Sequence, residues 1–305
     1  MKTYAPSQCT GTIKDPKASK FISIVEAEYN KASLSEKEAQ LVNDDPGLAD
    51  LIANFIAENR VGKFKGLEVE PNYDYPKEYI GPMPIEYQIK VLAEVLNLDP
   101  SRAFEFAKKL PPLESFVPEE ALKWTGWFAT AAPRALNAFP KVTNPAEEYI
   151  RAVQFIHKEI AVSRPFYNYS EGRLIPGQFR LHSRTALALN LITKTQKGDI
   201  LIVAGQLGMC HRGRSVSQVR ANFRANEFGF GSLIVGSIVL THPERLVRRE
   251  ELDIDCPGDE FAPDLDDNFS ETPFFNFNFQ KVEFGTDVSI PDPRYGSASG
   301  FLPQY

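Results

Sequence analysis

The sequence predicts an α+β fold, with a helical N-terminal domain over residues 1–165 and a mixed, strand-rich domain over residues 166–305. Three observations predict it. Helix-start signals crowd the first half, short apolar or alternating runs fill the second, and a Pro-, Tyr- and Gly-rich break lies between them at 163–177.

In the first half, Asp15-Pro16, Asp45-Pro46, Asp99-Pro100 and Asn144-Pro145 each set a capping side chain before a proline. The side chain accepts from free first-turn amides, and proline has no N–H to leave unsatisfied there. Ser35 with Glu38 adds a capping box. Helical spacing follows at Leu48, Leu51, Ile52, Phe55 and Ile56, and again at Tyr149, Val153, Ile156 and Ile160. Pro84 opens a further helix carrying Ile85, Ile89, Leu92 and Leu96. The starts are irregularly spaced, which indicates a bundle and excludes a solenoid. Residues 62–84, with Tyr73, Tyr75 and Tyr79, form an ordered loop wrapping a surface.

In the second half, Ile200 to Ala204 and Leu233 to Leu240 are fully apolar and predict buried strands. Phe275, Phe277 and Phe279 alternate with asparagines and predict a strand with one aromatic face, which serves as core and not as a base-stacking platform. From Thr286 onward, three prolines and the run Gly296 to Gly300 predict an extended C-terminal arm.

Composition sets the class. Of 305 residues, 43% are hydrophobic and 24% charged, enough apolar material to exclude global disorder. Cys9, Cys210 and Cys256 are too few and too scattered for a disulfide framework. Residues 1–20 are polar, unlike a secretory leader, and the longest uncharged apolar stretch, 228–241, is shorter than the ~20 residues a spanning helix needs. The expectation is a soluble, cytoplasmic protein with no membrane partner.

Charge is divided along the chain. Net charge is −6, yet residues 173–249 carry +9, with ten arginines among twelve basic residues, and residues 250–305 carry −11. Arginine in such excess points to bidentate contact with phosphate or carboxylate. Two destinations compete: the acidic segment of the same chain, or an outside polyanion such as nucleic acid. No zinc-finger spacing or RNA-recognition signature accompanies the arginines.

The sharpest local feature follows the strand at 200–204. Gly208, four residues, Gly213, Arg214 and Ser215 match the P-loop pattern with arginine in place of lysine, and Ser215 with Gln218 starts a helix. A glycine loop running into a helix N-terminus is an anion site in principle, so Gly208, Arg212, Gly213, Arg214, Ser215, Arg220 and Arg224 are the candidate phosphate-binding residues. No second acidic motif follows, which weighs against nucleotide hydrolysis; a tight connection between strand and helix explains the same glycines.

For chemistry, Cys210 lies in this basic loop, where positive charge and the helix dipole are expected to lower its pKa, with His182 or His242 as base. His157 sits at the edge of an apolar helix face and is expected to pack. No close Cys or His spacing marks a zinc site, and the acidic run at 253–264 departs from the calcium-loop pattern at Pro257 and Asp264. No metal and no cofactor are expected. The leading function is a non-catalytic binding or structural protein contacting phosphate groups or an acidic partner surface, with Arg180, Arg184, Arg245, Arg248 and Arg249 joining the loop residues. The alternatives are an enzyme acting on a phosphorylated or acyl substrate through Cys210, and a self-associating structural protein whose charges neutralise internally.

Overall fold

The computed structural model describes residues 16–45, 48, 51–52, 68–136, 142, 144–264, 268–288 and 290–303. The chain divides into two compact units, Met1–Phe55 and Ile56–Tyr305. In the first, helix α1 (Pro16–Lys31) starts on the predicted proline and α2 (Glu36–Asn43) starts on the predicted capping box. Ser35 Oγ accepts from the Glu38 amide, and the Glu38 carboxylate takes the Ser35 N–H at 2.9 Å. Asp15, Pro46, Phe55 and Ile56, and with them part of the sequence expectation, lie outside the described residues.

The second unit holds helices α3 (Ile85–Leu96), α4 (Ser101–Ala107), α5 (Glu119–Leu122), α6 (Pro145–Ser163), α7 (Ser183–Gln196), α8 (Val216–Asn222) and α9 (Ser232–Thr241). Its strands are β1 (Gly126–Ala131), β2 (Phe166–Asn168), β3 (Phe179–Leu181), β4 (Ile200–Arg212), β5 (Glu227–Gly229), β6 (Asp253–Asp255), β7 (Asp259–Phe261), β8 (Thr272–Asn278), β9 (Lys281–Asp287) and β10 (Tyr295–Phe301). Eight strands make one mixed sheet in the order β1-β4-β10-β6-β8-β9-β2, with β5 also paired to β10, while β3 and β7 form a separate pair. The β10–β6 and β2–β9 pairings are parallel and the rest antiparallel. Helices fall mainly early and in the middle, strands late, and the fold is α+β as the sequence predicts.

The predicted caps act where expected. Asn144 accepts from the Ala146 amide at 3.0 Å to start α6, and Asp99 accepts from the Ser101 amide at 3.0 Å to start α4. The inward face of α6 buries Tyr149, Val153, Ile156 and Ile160, the residues its periodicity marks. Each such large apolar side chain removed from water contributes roughly 1.5–3 kcal/mol.

Three expectations are corrected. Leu233 to Leu240 is not a strand: it lies within helix α9, buried on every side against α6 and β1. A short run apolar throughout has no periodicity to separate strand from helix. Gly236 lets α9 approach α6, since a Cβ there would meet the Ile156 methyl at 2.5 Å.

The strand expected to end at Ala204 continues to Arg212, so Gly205 to Arg212 are strand and not loop. The C-terminal stretch is likewise no free arm, because β10 lies between β4 and β6 inside the sheet. One feature explains both. A bulge interrupts the β4–β10 ladder between Gly296 and Ala298, where Gly208 adopts φ +111° and a Cβ on it would stand 2.7 Å from the Gly296 carbonyl oxygen. The glycines on both strands serve this close approach of two backbones.

The phenylalanine stripe is divided. Phe275 is fully buried, Phe277 packs partly, and Phe279 stands 78% exposed at the hairpin tip, where both Phe279 and Gln280 have positive φ. The two-residue turn that matches strand twist requires that geometry, and it takes Phe279 out of the alternation.

Candidate functional site

Nine of the ten arginines in residues 173–249 are already held by this chain. Arg212 pairs with Asp74, Arg214 with Glu68 at 2.9 Å, Arg224 with Glu120 and Arg248 with Glu78. Arg180 meets Glu260 at 2.8 Å and lies over the Phe269 ring. Arg173, Arg184 and Arg220 donate to main-chain carbonyls of Pro263, Glu227 and Pro257, at 2.7, 2.6 and 2.9 Å. The seven candidate phosphate residues therefore do not converge: the guanidinium groups of the four arginines among them turn to Asp74, Glu68, the 257–260 turn and Glu120 separately.

The loop geometry follows. Gly213, at φ +69°, lies against the 68–71 segment, whose Val69 N–H donates to its carbonyl at 3.0 Å; a Cβ there would fall 2.2 Å from the Val69 oxygen. Ser215 caps α8 by accepting from the Gln218 amide, but α8 is only seven residues long. The Gln218 amide is thus taken by Ser215 Oγ, and Gly208 lies back within β4 and does not close a cradle around the helix start.

Arg245 is the most deeply held. Arg245 and Glu251 are both 0% exposed and paired, and Arg245 also donates to the Leu252 carbonyl at 3.1 Å and stacks on Tyr75 with its carbon 4.8 Å from the ring centre. Glu251 accepts in addition from the Leu246, Val247 and Arg248 amides, so the 245–248 turn wraps the carboxylate.

Four positions on, Arg249 is exposed, and no described residue gives it a hydrogen bond or ion pair. It lines a polar pocket of about 270 Å³ with Tyr73, Glu250, Asp253, Asn276, Asn278 and Arg294. The 68–84 loop forms one wall, anchored where the Leu252 N–H donates to the Asp74 carbonyl at 2.9 Å; the turn before β10 forms another, joined to β6 by the Asp253 N–H donating to the Arg294 carbonyl at 2.9 Å.

Two buried polar groups here lack partners among the described residues. Asn276 Oδ1 is enclosed without a donor. Asp253, 5% exposed, receives no side-chain hydrogen bond, and its carboxyl is pushed up to about 8, first by burial and then by Asp255 and Glu251, against the opposing pull of Arg294 and Arg245. Near neutral pH Asp253 is thus largely an acid that can donate. Arg294 spends one edge of its fork on Asp292, at 3.2 Å through both Nε and Nη2.

The acidic segment is divided, with Glu250, Asp264 and Asp287 exposed and the acids between Glu251 and Glu260 interior. Glu251, Asp253, Asp255, Asp259 and Glu260 are all buried. Burial raises Asp255 to about 7 and Asp259 to about 6. The formal charge of −11 therefore overstates what this segment carries near neutrality.

Cys210 lies within β4, not at a helix N-terminus, and the expected lowering of its pKa is reversed. Burial pushes the thiol up to about 12, helped by Glu227 and Glu120, with Arg212 opposing weakly. His242 accepts from the Met83 N–H at 3.0 Å through Nε2, and its other nitrogen faces Ile238 O and Thr241 Oγ1; burial lowers its pKa to about 4. His182 stands buried at the start of α7, and His211 pairs with buried Glu227 at 2.7 Å. No group of three His, Cys, Asp or Glu among the described residues gathers to hold a metal ion. No helix among them is long and apolar enough to cross a membrane.

Compared with known proteins, the chain matches no family model, no curated protein and no solved structure.

Sequence reasoning named Arg249 among many arginines but missed Asp253, Asn276, Asn278 and Arg294 as its neighbours. Only the acidic run containing Asp253 carried a signal, and it suggested calcium.

Proposed function

We propose that this chain is a non-catalytic binding protein that takes a small oxyanion into the pocket between Arg249 and Arg294, its other arginines serving the fold. The observation that supports this is the contrast within the basic segment: Arg249 alone of ten arginines has no described partner, and it borders the buried Asp253 carboxyl, which receives no described side-chain hydrogen bond, and the enclosed Asn276 Oδ1, which has no donor. Two guanidinium groups supply positive charge, and a protonated Asp253 adds a donor where an ionised one would repel. Glu250 at the rim limits the charge the pocket tolerates.

A polyanion is the weaker fit. Four of the more accessible arginines, Arg212, Arg214, Arg224 and Arg248, pair with Asp74, Glu68, Glu120 and Glu78, so a phosphate chain would meet these carboxylates along with each of those guanidinium groups.

The test is thermal unfolding with inorganic phosphate or citrate at about a hundred times the fitted Kd, where a single site adds about 2.7 kcal/mol. Phosphate and citrate distinguish the two oxyanion classes. Either should raise the melting temperature of the wild type and neither that of Arg249→Ala, with the effect fading as pH passes about 8 and Asp253 ionises. Equal stabilisation of the variant, or none of the wild type, would sink the proposal.

A further inference from the structure

A second hollow, of about 100 Å³, lies over the part of the sheet where β4 runs between β1 and β10, and shares no residue with the arginine pocket. The strand register builds it. Trp127 of β1 pairs with Ala204 of β4, and Ala204 pairs in turn with Phe301 of β10, so the three stand in one cross-strand row on one face. A methyl between two large rings leaves a trough. Helix α7 walls it with Leu191 and Ile192, and Phe106 of α4 and Leu302 border it.

The floor is sealed and the walls reach solvent. Ile192, Ile202 and Ala204 are buried, Phe106, Trp127 and Leu302 only partly so, and Leu191 is 56% exposed. Leu187, four residues before Leu191 on the same face of α7, is exposed as well. The hydroxyl and amide side chains of the lining are spent. Thr195 Oγ1 donates to the Leu191 carbonyl at 2.9 Å, and the Gln196 amide exchanges two hydrogen bonds with the Ile202 main chain, each of 2.7 Å. Such a wall rewards apolar contact. An apolar cavity of about 150 Å³ takes a benzene ring, so this smaller trough suits a narrower alkyl chain.

Charge beside the trough has one sign. Helix α7 carries no acidic residue. Lys194, three residues after Leu191 and so its neighbour on the helix surface, is exposed and has no described ion-pair partner. On α4, Glu105 is engaged by Lys108 at 2.7 Å.

We infer that this trough binds a medium-chain fatty acid. The aliphatic tail lies over Ala204 between Trp127 and Phe301, and the carboxylate emerges at the α7 wall beside Lys194.

The experiment titrates the full chain with butyrate, hexanoate, octanoate and octanol, each below its micelle concentration, read by indole fluorescence and thermal shift. Affinity should rise about fourfold per added methylene from butyrate to octanoate, and octanoate should bind more tightly than octanol. Leu191→Asp, at an exposed position, should keep the native circular dichroism spectrum and weaken octanoate at least tenfold. Lys194→Gln should abolish the preference for octanoate and leave octanol binding unchanged. Affinity independent of chain length overturns the inference, as does octanoate binding untouched by Leu191→Asp. Equal affinity of the wild type for octanol and octanoate overturns it too, because no anionic head would be read. A dimer that octanoate splits in analytical ultracentrifugation would assign the trough to a second copy of the chain and likewise overturn it.

Discussion

Arg245 and Arg249 lie four residues apart in one basic run and have opposite fates. Arg245 is fully buried, paired with Glu251 and stacked on Tyr75, whereas Arg249 is exposed and has no described partner. What separates them is the 245–248 turn, which wraps the Glu251 carboxylate with main-chain amides and leaves the next side chain outside. Charge counted along a sequence measures supply; commitment is decided by where carboxylates and carbonyls end up in space.

The largest expected effect tests that contrast directly. Arg245→Ala strands a buried Glu251 carboxylate and should cost about 3–5 kcal/mol in urea unfolding, whereas Arg249→Ala should stay within about 0.5 kcal/mol. Equal costs at the two positions would break the comparison.

Next in size is a pH effect. Asp253, raised to about 8, and Asp255, raised to about 7, bind protons in the folded state that an unfolded aspartate has already lost. Raised carboxyl pKa values stabilise the fold below the unfolded value and lose that contribution as pH climbs through the folded one. His157 and His242, lowered to about 3 and about 4, act the opposite way, but only up to the ordinary histidine range near 6.5. Between about pH 6.5 and 8.5 the aspartates therefore dominate, and Asp253 alone should remove about 2 kcal/mol, a decline that Asp253→Asn should flatten. Chemical denaturation across that range checks it.

Burial acts on Cys210 in the same sense. With its thiol raised to about 12, alkylation of the native protein at neutral pH should run on the order of a thousandfold slower than for a free cysteine. Mass mapping of the labelled site reads this. Fast labelling at Cys210 would mean the strand opens far more readily than its packing implies.

The smallest effect belongs to the exposed pairs. Arg224 with Glu120, both more than half exposed, should couple by about 0.2–1 kcal/mol in a double-mutant cycle.

The sequence made the locally determined features legible. Ser35, Asp99 and Asn144 cap helices through neighbours two or three residues away, and those helices are present. Features set by distant chain were illegible. Helix α9 is helical though its composition suits a strand, and it is buried along nearly its whole length against α6 and β1, contacts its own run does not encode. The glycines at 208 and 213 matched a phosphate loop because close backbone approach selects glycine, whether the neighbour is a phosphate, Gly296 or Val69. The arginine partners Asp74, Glu78 and Glu120 lie more than a hundred residues upstream, while the acidic segment that seemed the natural counterpart supplies only Glu251 to Arg245 and Glu260 to Arg180 and Arg220. The Arg249 pocket draws on four separated stretches of chain, which no short motif encodes.

Heparin chromatography at low ionic strength, followed by a salt gradient, tests most directly whether the guanidinium groups are consumed at home. With nine of ten held internally, the folded protein should pass through the column near about 50 mM salt with little retention. Tight retention, released only by high salt with a steep logarithmic slope, would mean that those arginines leave their carboxylates for an outside polyanion, contradicting the account.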